Sequence, residues 1–176
     1  RHMPYRTVGI IGAMKEEVEL LHRNVRVSGI RTKAGIAYAT GELHGKRVIF
    51  CRSGVGKVNA AVCTQLLIDQ GVDCVVFTGV AGALDPGLDI GDIVISTVCQ
   101  HHDMDVTALG FPRGVIPFQE LSEFAADERL VQLAVRAGET LFPGRCRTGK
   151  VLSGDQFIAS RQIVRELRET MGGTCI

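Results

Sequence analysis

The stretch from Asp73 to Ser96, DCVVFTGVAGALDPGLDIGDIVIS, constrains the fold more than any other part of the sequence. Val75-Val76-Phe77-Thr78 is a short apolar run, the mark of a strand buried on both faces of a parallel sheet. It stops at Gly79-Val80-Ala81-Gly82, where small residues let the backbone turn sharply and approach a ligand closely. The turn residues Asp85-Pro86-Gly87 and Gly91-Asp92 follow, and a second strand is expected over Ile93 to Val98. Ligands of open α/β sheets sit in the crevice beyond the carboxyl ends of the strands. The turn at Val80, Ala81 and Gly82 is therefore the first candidate for the floor of a small-molecule site. A glycine turn after a strand is also a common plain connection, and alone it names no substrate.

The rest of the chain narrows the class. With 176 residues, a single domain over 4–176 is expected, long enough to bury roughly two-thirds of its unfolded surface. Arg1-His2, ahead of Met3, reads as a cloning remnant. Twenty Lys and Arg against nineteen Asp and Glu leave no field for a nucleic acid or an anionic membrane. No apolar run reaches the length of a membrane span and no signal peptide opens the sequence. The six cysteines (51, 63, 74, 99, 146 and 175) stand singly, with no CxxC pair. That usage predicts buried, reduced thiols in a cytoplasmic protein rather than disulfides or zinc.

Thr7 to Ile11 reads as the first buried strand, with Gly12-Ala13-Met14 as its turn into a helix over Lys15 to Arg23. Met14, Val18 and Leu21 recur at helical spacing and predict a buried stripe. Glu16, Glu17 and Glu19 crowd the first turns, where carboxylates suit the positive end of the helix dipole. Glu16 and Glu19 read as solvated charges. Glu17 stands three residues after Met14, on that residue's side of the helix and at the ligand edge of the sheet. Ile36 to Leu43 and Lys46 to Cys51 are two strands joined at His44-Gly45, a hairpin by loop length. Helices are expected over Val58 to Gln70, over Glu128 to Leu141, and from a Ser160 cap to about Thr170. Arg147 to Leu152 reads as a further strand with its loop at Ser153–Ile158.

Two tempting motifs fail. Ser53-Gly54-Val55-Gly56-Lys57 resembles a phosphate loop, but that pattern needs a glycine where Cys51 stands and Ser or Thr where Val58 stands. No GxGxxG occurs, so nucleoside triphosphates and dinucleotides are rejected. His101-His102-Asp103-Met104-Asp105 has metal-ligand types, without helical spacing or a distant partner. No metal and no cofactor are assigned.

Four stretches together carry a family resemblance: GIIGAMKEEVELL, SGVGKVNAA, TGVAGALDPGLDIGDIVIS with HHDMDVTALG, and VLSGDQFI. They resemble the bacterial 5'-methylthioadenosine/S-adenosylhomocysteine nucleosidases, of the nucleoside phosphorylase superfamily, from about Val8 to Ile176. The resemblance implies a three-layer αβα sandwich around a mixed, twisted sheet, and a homodimer. It implies hydrolysis of the bond between adenine and a thio-substituted ribose, with roles in methionine salvage and the methyl cycle. Glu17 matches the carboxylate that activates water. Ala13 and Met14 match the wall beside the ribose, and Val55 lies near the thioalkyl side. Val80, Ala81 and Gly82 match the floor; many relatives carry Ser at the Val80 position, so that hydroxyl is absent here. Phe157 and Ile158 match the purine slot, one stacking on the base and the other reading its edge through the backbone. Val106, Leu109, Phe111 and Pro117 match a loop that reaches the neighbouring subunit's alkylthio pocket.

The chemistry suits those residue types. Departing adenine leaves a cationic ribosyl centre, so water attacks once a carboxylate orients it, and the purine takes a proton from an acid. The family's ribose-binding Met-Glu pair and its Asp general acid match positions beyond Ile176. The expectation is that these residues are the front three quarters of the enzyme, and that a polypeptide stopping there would bind substrate weakly and turn over little. Superfamily phosphorylases place an arginine where Phe77 stands, which favours hydrolysis over phosphorolysis. A futalosine hydrolase, a purine nucleoside phosphorylase and a catalytically silent nucleoside-binding fragment are the alternatives.

Overall fold

A computed structural model describes residues 5–176; the remnant reading of Arg1-His2 lies outside the described residues. The described chain divides into two compact units, the first running to Val80 and the second from Ala81 to Ile176.

The first unit contains β1 (Thr7–Gly12), α1 (Lys15–Asn24), β2 (Arg26–Lys33), β3 (Ile36–Leu43), β4 (Lys46–Arg52), α2 (Lys57–Asp69) and β5 (Cys74–Phe77). Its mixed sheet has the order β2-β3-β4-β1-β5, with β4, β1 and β5 parallel and β2, β3 and β4 antiparallel. The β3–β4 turn puts both His44 (φ 48°) and Gly45 (φ 76°) in the left-handed region, the geometry that suits a two-residue hairpin to strand twist. Side chains alternate across the sheet. Val48 and Phe50 of β4 face Val25, Ala39, Ile10 and Leu21, the last from α1. Ile49 and Cys51 face Ile11, Tyr38, Cys63 and Leu67, the last two from α2. One helix therefore covers each face, which is αβα layering built from period-two alternation.

Two expectations need correction here, and one strand is added. β5 is not buried on both faces: Val76 and Phe77 are 37% and 60% exposed. It is the end strand of its sheet, with β1 as its neighbour. Met14 does not belong to the buried stripe of α1; it is the exposed N-cap, and Val18 is the buried residue of that helix. β2 was not anticipated at all. A register shift between Val27 and Gly29 breaks its alternation, and all but Lys33 are exposed on this edge strand.

The second unit contains β6 (Ile93–His101), β7 (Glu123–Ala125), α3 (Glu128–Leu141), β8 (Cys146–Ser153) and α4 (Arg161–Met171). Its sheet has the order β7-β6-β8, β8 parallel and β7 antiparallel to β6. α3 packs on β6 and β8, and Gly138 permits the approach: a Cβ there would lie 2.6 Å from Cys146 Sγ. Asp127 Oδ2 accepts from Leu130 N (3.0 Å) and Ser160 Oγ from Ile163 N (3.4 Å), so each helix starts on a polar cap. Gly172 ends α4 in the left-handed region at φ 68°. The chain then runs extended beside β8, Thr174 N donating to Lys150 O and Leu152 N to Cys175 O. Leu84, Leu152, Leu167 and Met171 form the core of this unit. All six cysteines are thiols. Among the described residues no helix is long and apolar enough to cross a membrane.

Candidate functional site

In the first unit the hydrogen-bond ladder continues past the strand ends. Ser53 N donates to Gly12 O at 2.9 Å, and Thr78 N donates to Ile11 O at 2.9 Å. The turns that follow β1, β4 and β5 therefore start side by side at the carboxyl edge, where a ligand is expected. Glu17 projects into this place from the first turn of α1. Its Oε2 accepts from Ala13 N (2.6 Å) and Met14 N (3.1 Å), and its Oε1 accepts from Val80 N (3.2 Å).

A glutamate at this helical position often does no more than cap, reaching back to the N-cap amide as Glu17 does to Met14. Val80 N–H adds something a cap does not need, a donor 63 residues away on the turn after β5. Oε2 is filled by two amides while Oε1 holds one, leaving an acceptor position on Oε1 for a water. The surrounding glycines make the room. A Cβ on Gly79 would sit 3.0 Å from Glu17 Oε1, and one on Gly12 would sit 3.0 Å from Glu17 Cβ and 2.7 Å from Val18 Cγ1. The structure thus groups Ala13, Met14, Glu17 and Val80 around one carboxylate.

Val55 lies exposed on the turn between β4 and α2. Its carbonyl accepts from Asn59 Nδ2 at 2.7 Å, and Ser53 is buried with Oγ donating to Gly54 O. Neither Ser53 nor Asn59 was singled out from sequence, although Ser at a strand end and Asn in a first helical turn are ordinary loop-fixing residues. The ring of Phe77 comes within 2.9 Å of where a Gly79 Cβ would be, so an apolar edge stands beside the carboxylate.

The remaining predicted residues belong to the second unit. Gly82 exchanges two backbone bonds with Ile176, at 2.7 and 2.9 Å, next to Ala81. Phe157 is 95% exposed, while Ile158 packs on the Leu84–Leu152–Leu167 core. The loops after β6 and β8 are tied together: His102 N donates to Ser153 O (2.9 Å) and Asp155 N to Asp103 Oδ2 (2.9 Å). Asp103, spelled like a metal ligand, holds a loop in place. No group of three or more His, Cys, Asp and Glu able to hold a metal occurs among the described residues. Val106, Leu109, Phe111 and Pro117 lie on a segment with one 3₁₀ turn at Thr107–Leu109. Gly114 N donates to Met104 O and Arg113 Nε to His102 O, anchoring it. Asp105 starts that turn, and the hydrogen bond from the Thr107 hydroxyl holds its carboxyl below the ordinary aspartate value. Leu109 is exposed, and Phe118, exposed at φ 65°, meets Phe111 edge-on at 6.1 Å.

A carboxylate on the first helix at the carboxyl edge of parallel strands, with both sheets mixed, defines an α/β protein of the Phosphorylase superfamily, which the chain matches over residues 7–176. A relative from Tolumonas auensis, a 5'-methylthioadenosine/S-adenosylhomocysteine nucleosidase, is 40% identical over 164 residues, 93% of this chain and 71% of the relative. Within the superfamily, the chain belongs to the 5'-methylthioadenosine/S-adenosylhomocysteine nucleosidase family. Coverage of another relative of the same name falls to 64%, so the chain spans about two thirds of such proteins. The fold is that of the crystal structure of the Neisseria meningitidis nucleosidase in complex with methylthio-immucillin-A. The TM-score there is 0.91 and the identity 40%, over 97% of this chain and 74% of that one. A futalosine hydrolase mutant from Helicobacter pylori matches at TM-score 0.85 and 29% identity, over 97% and 77%.

Proposed function

We propose that residues 4–176 form one nucleosidase domain of a hydrolase that cleaves the N-ribosidic bond of 5'-methylthioadenosine and S-adenosylhomocysteine, releasing adenine. The single observation that carries the mechanism is the Glu17 carboxylate, held by three backbone N–H groups from two separate turns. Three donors fix the side chain in one orientation, and the open position on Oε1 takes a proton from a water aimed at the anomeric carbon. Met14 and Ala13 wall the ribose, Val80, Ala81 and Gly82 form the floor, and Val55 faces the thioalkyl group. Phe157 stacks on the purine, whose edge the Ile158 backbone reads; an exposed aromatic ring beside a half-buried backbone suits both roles. Phe77 beside Glu17 supplies no charge for phosphate, which supports water as the nucleophile.

The working form is a homodimer in this reading. Leu109 and Phe118 leave apolar area exposed near Val106, Phe111 and Pro117, the segment that would close the alkylthio pocket of the partner subunit. Six thiols without a disulfide agree with a cytoplasmic enzyme serving methionine salvage.

The test is adenine release by the protein carrying this chain, with 5'-methylthioadenosine, S-adenosylhomocysteine and futalosine offered in parallel. Adenine from the two thionucleosides, with futalosine untouched, is the expected outcome. Cleavage of futalosine alone would overturn the reading in favour of the hydrolase it also resembles in fold.

A further inference from the structure

The core face beneath α2 contains a pair of groups that hydrolysis does not use. Cys51, next to last in β4, and Cys63, midway along α2, place their sulfurs 3.0 Å apart. Both are buried, at 2% and 0% exposure, among Ile11, Tyr38, Ile49 and Leu67. Tyr38 Oη donates to the Cys63 carbonyl at 3.1 Å, which holds that turn of the helix against β3. We propose that Cys51 and Cys63 are a redox modification site that closes to a disulfide on two-electron oxidation by a peroxide.

Bond formation brings the sulfurs from 3.0 Å to about 2.05 Å, the length of the bond. The pair also divides the two roles that disulfide formation requires. A hydrogen bond from the Cys51 thiol lowers Cys63 below the ordinary thiol value, against the opposing effect of burial, which makes Cys63 the more acidic of the two and the one to attack. The same hydrogen bond raises Cys51, which remains the protonated resolving thiol. The Cys63 thiolate attacks one peroxide oxygen, breaking the O–O bond, and becomes a sulfenic acid; the departing hydroxide takes a proton and leaves as water. The Cys51 sulfur then displaces the sulfenic oxygen, which leaves as a second water with the Cys51 proton. Two thiols lose two electrons, and one peroxide gains them.

The consequence falls on the site turn. A bond between residues 51 and 63 closes a ring around Ser53–Gly56, the turn carrying Val55 and resting on Gly12 through Ser53 N. Oxidation therefore staples that turn at both ends.

The experiment treats the native protein with hydrogen peroxide and, separately, with a diazene-dicarboxamide oxidant. It is then denatured, alkylated, digested and analysed by mass spectrometry. The expected product is one linked pair of peptides containing Cys51 and Cys63, lighter by two hydrogens and released by a dithiol, with Cys74, Cys99, Cys146 and Cys175 still alkylated. The oxidised protein should melt at a higher temperature than the reduced one, and Cys63→Ser should lose both the linkage and the increment. Cys51 and Cys63 recovered as free thiols under both oxidants would overturn the proposal. So would linkage to other cysteines, or conversion to sulfinic acid without any disulfide.

Discussion

Gly79→Ala asks how closely the turn after β5 supports the carboxylate of Glu17. Gly79 does not adopt a positive φ, so an alanine fits the backbone and any effect comes from contact. Its Cβ would meet Phe77 Cε1 at 2.9 Å, Glu17 Oε1 at 3.0 Å and Glu17 Cδ at 3.1 Å. Ordinary van der Waals contact begins at 3.4 Å, so the carboxylate must retreat by several tenths of an ångström. Retreat stretches the 3.2 Å bond from Val80 N past hydrogen-bonding range and turns Oε1 away from the position proposed for the attacking water. A misplacement of about 1 Å costs roughly 100-fold, so a shift about half as large should lower kcat about tenfold, or about 1.4 kcal/mol. Gly29→Ala, on the exposed edge strand β2, is the control, since a Cβ there would meet nothing within 4 Å. The assay is the initial rate of adenine release from 5'-methylthioadenosine, with KM determined for each variant. Equal kcat for Gly79→Ala and the parent would refute the claim that Gly79 exists to seat this carboxylate.

Glu17→Gln should lower kcat by roughly 10²–10⁴ while leaving KM near its parent value; Glu16→Gln should change neither, and the reverse pattern in a kinetic comparison would put the base one residue away. Leu67→Ala removes a side chain with no exposure from the α2 face of the core and should cost about 2–5 kcal/mol in urea unfolding. Sedimentation at micromolar concentration should show a dimer, and Leu109→Asp should shift it towards monomer. Asp73 lies below the ordinary aspartate value because Thr7 N and Arg6 N donate to it, and Asp85 because Gly87 N does. With native values depressed, the unfolded chain binds more protons as pH falls. The stability these groups contribute is present above the ordinary aspartate range and is lost as pH falls through the lowered values. Asp73→Asn should flatten the acid limb of a pH–melting curve.

Much of the fold was legible because local chemistry and tertiary context agree. His44-Gly45 tolerates two left-handed residues, and β3 and β4 were found on either side of it. Asp127 caps a strongly amphipathic α3, and its range of Glu128–Leu141 was read directly. β2 was missed because a bulge at Val27–Gly29 disrupts the alternation on which strand reading depends. The apolar run of β5 suggested burial on both faces, yet Phe77 is mostly exposed, since the run reports residue type and not neighbours. Within the site, Glu17 was accessible through its place after the β1 turn. Its bond to Val80 was not, because it joins positions that only the parallel β1–β5 pairing brings together. The Cys51–Cys63 contact was hidden for the same reason, one residue on a strand and the other on the helix above it.

The central claim is that Glu17 delivers water, and not phosphate, to the anomeric carbon of an adenine thionucleoside. The most direct measurement runs the cleavage of 5'-methylthioadenosine in ¹⁸O-labelled water, with and without inorganic phosphate, and analyses the sugar by mass spectrometry. The account predicts methylthioribose carrying one ¹⁸O, formed at the same rate in both buffers. A strict dependence on phosphate, with an unlabelled methylthioribose 1-phosphate as product, would contradict it.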